Sequence, residues 1–134
     1  MTRRFTFIGV TTGQSAIKSI FPLWRDRLGL GLDVELVGRD IPLDAPPENY
    51  REAVNVIKGD PNNLGGVVTS HKISLFRAAG NLFDELDHWA RLCGEISCIS
   101  KLENRLFGMA KDPDGAGRAL TKMLGPGYFG RTQG

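Results

Sequence analysis

Thr69, Ser70, His71 and Lys72 follow one another in the stretch GGVVTSHKISLFRAAG (65–80), behind Val67 and Val68 and ahead of an apolar helical pattern. Two hydroxyls, an imidazole and an ammonium thus stand where the chain leaves an apolar, β-branched run: a row of hydrogen-bond donors and one positive charge. Gly65 and Gly66, just before the valines, mark a turn or a close backbone approach. Asp112 stands in a like position, after the run RLFGMAK. Donors, a cation and a carboxylate at strand ends suit the lining of a pocket, because ligands of open α/β sheets bind outside the carboxyl ends of the strands. The plainer alternative is a surface ion pair, a lysine at a helix start beside a capping aspartate, which contributes little. His71 reads as a residue that caps or packs.

The remaining reactive side chains point to less. Cys93 and Cys98, in CGEISC, have no second cysteine pair, and His71 and His88 lie apart from them. Two small buried thiols in a reducing cytoplasm are the expectation, and no metal site. A net charge of +2, with TRR at the N-terminus as the only basic cluster, argues against a nucleic-acid partner. No apolar run approaches a membrane span and no signal peptide opens the chain, so a cytoplasmic protein without a membrane partner is expected. The 134 residues make one domain, long enough to bury a core without disulfides or metal.

Alternation and helical spacing place these residues on elements. RFTFIGV (4–10) reads as a first strand. A helix follows with Ile20, Phe21, Trp24 and Leu28 at helical spacing; Ser19 as N-cap places Pro22 in the first turn, and Gly29 ends the helix. DVELVGRD (33–40) is a second strand, and Pro47 opens a helix carrying Tyr50, Val54 and Ile57 on one face. After the strand ending at Val68, a helix runs from about Ile73 to Ala79. DELDHWARLC is a further helix capped by Asp84 and stopped by Gly94. EISCISK and RLFGMAK form a hairpin across LEN, DPDGAG is a loop, and a last helix runs through RALTKML to Gly125. The order β-α-β-α-β-α-α-β-β-α predicts a three-layer α/β/α domain with a mainly parallel, mixed sheet.

Four segments in this order resemble the N-terminal, substrate-binding domain of the shikimate/quinate dehydrogenase family, over roughly Gly9 to Leu120. GVTTGQSAIKSIFPLWRDRLGL is similar to that family's opening strand, serine-bearing loop and first helix. GGVVTSHK is similar to its glycine-to-lysine strand end, one residue shorter before the histidine. LFDELDHWARLCGEIS resembles its acidic helix and glycine-led strand, and NRLFGMAKDPDGAG its hairpin strand ending in an aspartate and glycines.

The resemblance implies hydride exchange between NADP or NAD and a ring alcohol, with a lysine and an aspartate facing the reacting carbon. These are Lys72 and Asp112. It further implies Ser15 as one of two serines that hold a substrate carboxylate, Thr69 as a pocket threonine, and Ser97 at the position of a pocket asparagine. Proton exchange with a secondary alcohol needs a general acid and base. An ammonium beside a carboxylate suits protonation of the alkoxide formed in ketone reduction, so Lys72 is the expected proton donor and acceptor, oriented by Asp112.

Departures from the family's pattern are equally informative. Ile17 stands where the second serine is expected, Val67 and Ser97 where asparagines are, and Ala110 where the asparagine before the aspartate is. A buried polar group that loses its partner costs about 1–3 kcal/mol, so the same reaction on a different cyclic hydroxy acid is implied. Thr11, Thr12, Gln14 and Ser19 are candidate replacement donors.

The one G-x-G-x-x-G in the chain, GPGYFG at 125–130, follows a helix instead of a strand, so no cofactor binding is expected there. Residues 1–124 are expected to form the substrate-binding domain, and 125–134 a linker or cut end leading to a C-terminal Rossmann domain. On this expectation NAD(P) is bound by a full-length enzyme and not by this chain, which alone is inactive. The competing expectation is a stand-alone, non-catalytic small-molecule binding or regulatory module of the same fold.

Overall fold

Strand β1 (Arg3–Gly9) has its alternate residues on opposite faces, and both faces are covered. Phe5 stacks on Phe21 of the first helix with ring centroids 5.6 Å apart, whereas Ile8 joins the core built with the second and third helices. The structure, a computed structural model, describes residues 1–131. The six-stranded sheet has the order β2-β1-β3-β5-β6-β4, with β2 Val34–Asp40, β3 Asn63–Val68, β4 Glu85–Leu86, β5 Cys98–Leu102 and β6 Arg105–Met109. β1, β2 and β3 are mutually parallel, β5 runs antiparallel to both β3 and β6, and β4 is parallel to β6. Five strands therefore end on one rim, and β5 alone runs the other way. This is the mixed α/β/α architecture expected, with β4 as an additional short edge strand.

Helices α1 (Ile17–Arg27) and α2 (Pro47–Gly59) lie on opposite faces. The step from β1 to β2 goes one way along the sheet and the step from β2 to β3 returns past β1, so right-handed crossovers require it. α2 and α3 (Lys72–Ala79) pack Tyr50, Val54, Ile57, Leu75 and Ala79 over Ile8, Val68, Ile99 and Leu106, which form the main core. β3 threads between its neighbours with little room. A Cβ on Gly65, whose φ is +131°, would lie 2.2 Å from the Ile99 carbonyl oxygen, and one on Gly66 would lie 2.4 Å from that of Thr6. The paired glycines thus mark close approach.

Three local expectations are corrected. α1 begins with Ala16 as N-cap, not Ser19, so Pro22 lies inside the helix. Ser19 donates its hydroxyl to the Ala16 carbonyl, and the amides of Lys18 and Ser19 bond three residues back, an early turn wound tightly ahead of the proline. α4 (His88–Cys93) is capped by Asp87, whose Oδ1 accepts the Ala90 amide at 2.7 Å. Asp84 instead accepts the Leu106 amide at 2.7 Å, because residues 85–86 pair with β6 as a strand. Finally, DPDGAG is not a loop: α5 runs Asp112–Leu124, with Pro113 in its first turn where an N–H has no helical partner.

None of the α5 residues is buried. Beyond it, a single turn, α6 (Tyr128–Arg131), occupies part of the expected linker, and 132–134 lie outside the described residues. Among the described residues no helix is long and apolar enough to cross a membrane, and no group of His, Cys, Asp and Glu is arranged to hold a metal.

Candidate functional site

The chain leaves β3 through a kink that sets the direction of α3. Ser70 has φ +62°, and the His71 amide bonds the Thr69 carbonyl at 2.6 Å across it. Such a three-residue turn at positive φ is strained for a residue with a Cβ, and it persists only where its surroundings hold it. His71 does the holding. Its ring is 1% exposed, with Nε2 2.7 Å from the Ile41 carbonyl oxygen and Nδ1 3.3 Å from the Tyr50 hydroxyl. A carbonyl only accepts, so Nε2 carries the proton and Nδ1 accepts from Tyr50. The histidine is therefore a packed strut that ties the start of α3 to α2 and to the end of β2. The Lys72 carbonyl adds a bond from the Ile96 amide at 3.0 Å.

Asp112 is fixed from the other side of β5. Ser97 accepts the Lys111 amide on Oγ at 2.9 Å, and Asp87 accepts the Ala110 amide at 3.2 Å. The two amides leading into α5 are thereby anchored, and the first residue of that helix meets the first residue of α3: Lys72 Nζ forms an ion pair with Asp112 Oδ2. The lysine side chain is 27% exposed and the aspartate 54%, so water reaches the pair.

Beside this pair, at the ends of β1 and β3, lies an open cleft of about 310 Å³ lined by Thr11, Thr12, Gln14, Ser15, Thr69 and Ser70, among others. Its front wall is one turn of 3₁₀ helix, Thr12–Gln14. Asp40, the last residue of β2, anchors that turn: its Oδ1 accepts the Thr12 amide at 2.9 Å and the Thr12 hydroxyl at 2.5 Å. These two bonds, with a smaller contribution from the Lys18 charge, hold the Asp40 carboxyl below the usual aspartate range. Ser15 follows the turn and accepts the Ile17 amide at 3.3 Å, so its hydroxyl proton is left for the cleft.

The structure thus brings Ser15 and Thr69 together in one cleft and pairs Lys72 with Asp112, two and forty-two residues beyond Ser70. The two charges meet, as a pair that does not itself line the cleft and lies next along the chain from its Ser70 wall. Ser97 is placed differently from a pocket residue. It is 6% exposed, and besides the Lys111 amide its hydroxyl meets the Met109 carbonyl at 3.4 Å, so it serves the backbone leading to Asp112. Sequence reasoning missed Asp40, Asp87 and Tyr50 as positioning groups. Asp40 at a strand end before IPLDAPP and the doubled acid Asp84/Asp87 before a helix were the signals present.

No family model and no curated protein matches the chain. Solved structures do. The chain superposes on a shikimate dehydrogenase solved with NADP+ at a TM-score of 0.73 and 26% identity, covering 92% of this chain and 40% of that one. For a shikimate 5-dehydrogenase from Thermus thermophilus, solved with NADP(H) and shikimate, the values are 0.68 and 24%, over 91% of this chain and 42% of that one. A 5-ketofructose reductase from Gluconobacter gives 0.72 and 18%, over 94% and 42%. The chain spans about two fifths of the length of these structures. Element order, mixed sheet and superposition agree with the four sequence segments, and the chain has the α/β domain fold found in shikimate dehydrogenases.

Proposed function

We propose that this domain is the substrate-binding part of a dehydrogenase acting on a small cyclic hydroxy acid, and that it supplies the proton half of the reaction. The observation that carries this reading is the Lys72–Asp112 ion pair, formed between the first residues of two helices beside a hydroxyl-lined cleft. In reduction, an Nζ–H bond of the Lys72 ammonium breaks as the substrate alkoxide oxygen takes the proton and leaves a neutral amine; in oxidation, the alcohol O–H breaks and that neutral amine receives the proton. Asp112 holds the Lys72 side chain in place through the ion pair. Ser15 and Thr69 hydrogen-bond the substrate's polar groups.

The glycine motif at 125–130 is not built as a dinucleotide cradle. GPGYFG follows α5 and leads into a four-residue helix, with no strand before it, so the phosphate-binding strand–turn–helix is absent at this motif. What falls to this chain is the substrate and the proton, with NAD or NADP held by a further, Rossmann-type domain. Ile17, Val67 and Ala110 carry no polar side chain and Ser97 serves the backbone, which favours a substrate with fewer recognised hydroxyls than shikimate or quinate.

A thermal-shift screen of cyclic hydroxy acids against this chain tests the binding half of the proposal. One acid is expected to raise the melting temperature of the native chain, and the rise is expected to vanish in Ser15→Ala and shrink in Lys72→Ala. Stabilisation that persists unchanged in both variants refutes the site. In a polypeptide that also carries the cofactor domain, Lys72→Ala is expected to lower kcat by about a hundredfold or more, the usual contribution of a general acid. Unchanged turnover refutes the role of Lys72.

A further inference from the structure

A second concavity lies on the outer side of the α2–α3 pair and shares no lining residue with the cleft of the proposed reaction. Its volume is about 630 Å³, well within the range that small organic ligands occupy. Its charged groups are Arg51, Arg77 and Asp44, with the Ser74 hydroxyl between the helices. Arg51 is half-buried and held by neutral acceptors only: its Nη1 donates to the Ala78 carbonyl at 3.0 Å and to Asn81 Oδ1 at 2.9 Å. Neither Arg51 nor Arg77 belongs to any ion pair among the described residues.

A guanidinium has five N–H donors in a planar fork. Two of the bonds Arg51 makes fix that fork against the helix pair, and its other donors carry a charge that no carboxylate neutralises. Arg77, one helix over, adds a second guanidinium, and Asp44 removes one charge, which leaves the groove with a single positive excess. The rest of the lining is mainly apolar: Ala45, Pro47, Ala78 and the largely buried Tyr50, with the Ser74 hydroxyl. A guanidinium held by two bonds in a cavity that also has apolar lining matches a carboxylate on a compact hydrocarbon body, and Asp44 in the same lining disfavours a dianion.

We propose that this groove is a binding site for a small monocarboxylate with an apolar ring or chain, separate from the substrate site. Benzoate, benzamide and inorganic phosphate, titrated into this chain and followed by backbone amide NMR, test it. Benzoate is expected to produce saturable shifts at 44–51 and 74–78, and neutral benzamide to bind about tenfold more weakly, as loss of a charge-assisted hydrogen bond predicts. Arg77→Gln is expected to weaken benzoate by a similar factor while leaving the melting temperature unchanged, since this exposed side chain holds no ion pair. Arg51→Gln is expected to weaken it further, and because Arg51 also bonds the end of α3, the Arg77 variant decides. The proposal is overturned by equal affinity for benzamide, by an Arg77→Gln chain that binds benzoate normally, by shifts confined to 9–15 and 69–70, or by phosphate binding more tightly than benzoate.

Discussion

Replacing Ser97 by alanine separates two roles that a serine at this position can play. The hydroxyl accepts the Lys111 amide at 2.9 Å, whereas its contact with the Met109 carbonyl is long, at 3.4 Å, and that carbonyl already accepts the Ser97 amide at 2.9 Å. Removing Oγ therefore leaves one N–H without its partner and no orphaned carbonyl. Losing one such bond costs about 1 kcal/mol, and the exposure of Lys111 to water keeps the figure at that end of the range. For a domain of this size the melting temperature is expected to fall by about 3–5 °C. Amide exchange at Lys111 is expected to accelerate, because the anchor that delivers Asp112 to Lys72 is gone. Were Ser97 a substrate contact, the same variant would keep its stability and its amide protection and lose ligand affinity alone. Calorimetry with exchange mass spectrometry reads both quantities. An unchanged melting temperature together with unchanged protection at Lys111 refutes the positioning argument.

Gly38→Ala puts a methyl group 2.2 Å from Thr12 Oγ1 and 3.0 Å from its Cβ, so the turn that carries Ser15 must move off Asp40. A loss of about 1–3 kcal/mol is expected in denaturant unfolding. Combining it with Thr12→Ala should cost less than the sum of the single changes, and strict additivity argues against the contact. Acid is expected to destabilise the fold through carboxyls held below their ordinary value of 3.8: Asp84 by the Leu106 amide, Asp60 by the Asn62 amide, Asp40 by Thr12 and Asp33 by Arg3. Their folded pKa lies below the unfolded one, so the stabilisation is complete well above about pH 4 and is lost as pH falls through the lowered values. Melting temperatures measured from pH 6 down to pH 3 are expected to level above about pH 5 and drop below it; a flat profile refutes the assignment.

The fold was legible wherever packing and periodicity agreed. Alternation along residues 4–10, the apolar face of residues 50–57 and the glycine stop at 94 all point to elements that form. The misplaced boundaries share a cause, since each lies where a polar residue has more than one backbone amide within reach. Asp84 and Asp87 are both sound caps by type, and the choice between them was made by a two-residue strand whose pairing with β6 no local pattern announces. Ser19 is a good cap ahead of Pro22, yet the helix starts earlier because Ser15 accepts the Ile17 amide and the next amides close short turns. DPDGAG has the composition of a loop, and it becomes the first turns of α5 because Ser97 and Asp87, distant in sequence, fix the amides before it.

The same principle explains how much of the site could be read. Position pointed to Thr69, Lys72 and Asp112, which follow strand ends, whereas Ser15, beyond the 3₁₀ turn, was named only by the family resemblance. What places them was hidden, because each support spans the sheet: Asp40 reaches Thr12 from β2, Tyr50 and the Ile41 carbonyl hold the ring of His71, and Ser97 holds Lys111. The strained φ of Ser70 is the clearest case. Nothing in THR-SER-HIS-LYS as a string demands a left-handed residue at its second position. The conformation follows from a buried imidazole that must satisfy two partners at once, and that requirement turns α3 so that its first side chain faces the start of α5. Of the positions where this chain departs from the pattern it resembles, Ile17, Val67 and Ala110 give no side chain to these bonds, Ala110 joining them only through its amide, whereas Ser97 supplies the hydroxyl that holds Lys111. On the proposed function, the bonds that pair the two charges are separate from the hydroxyls of Ser15 and Thr69 in the cleft, which is the physical condition for one fold to keep a reaction while changing what it acts on.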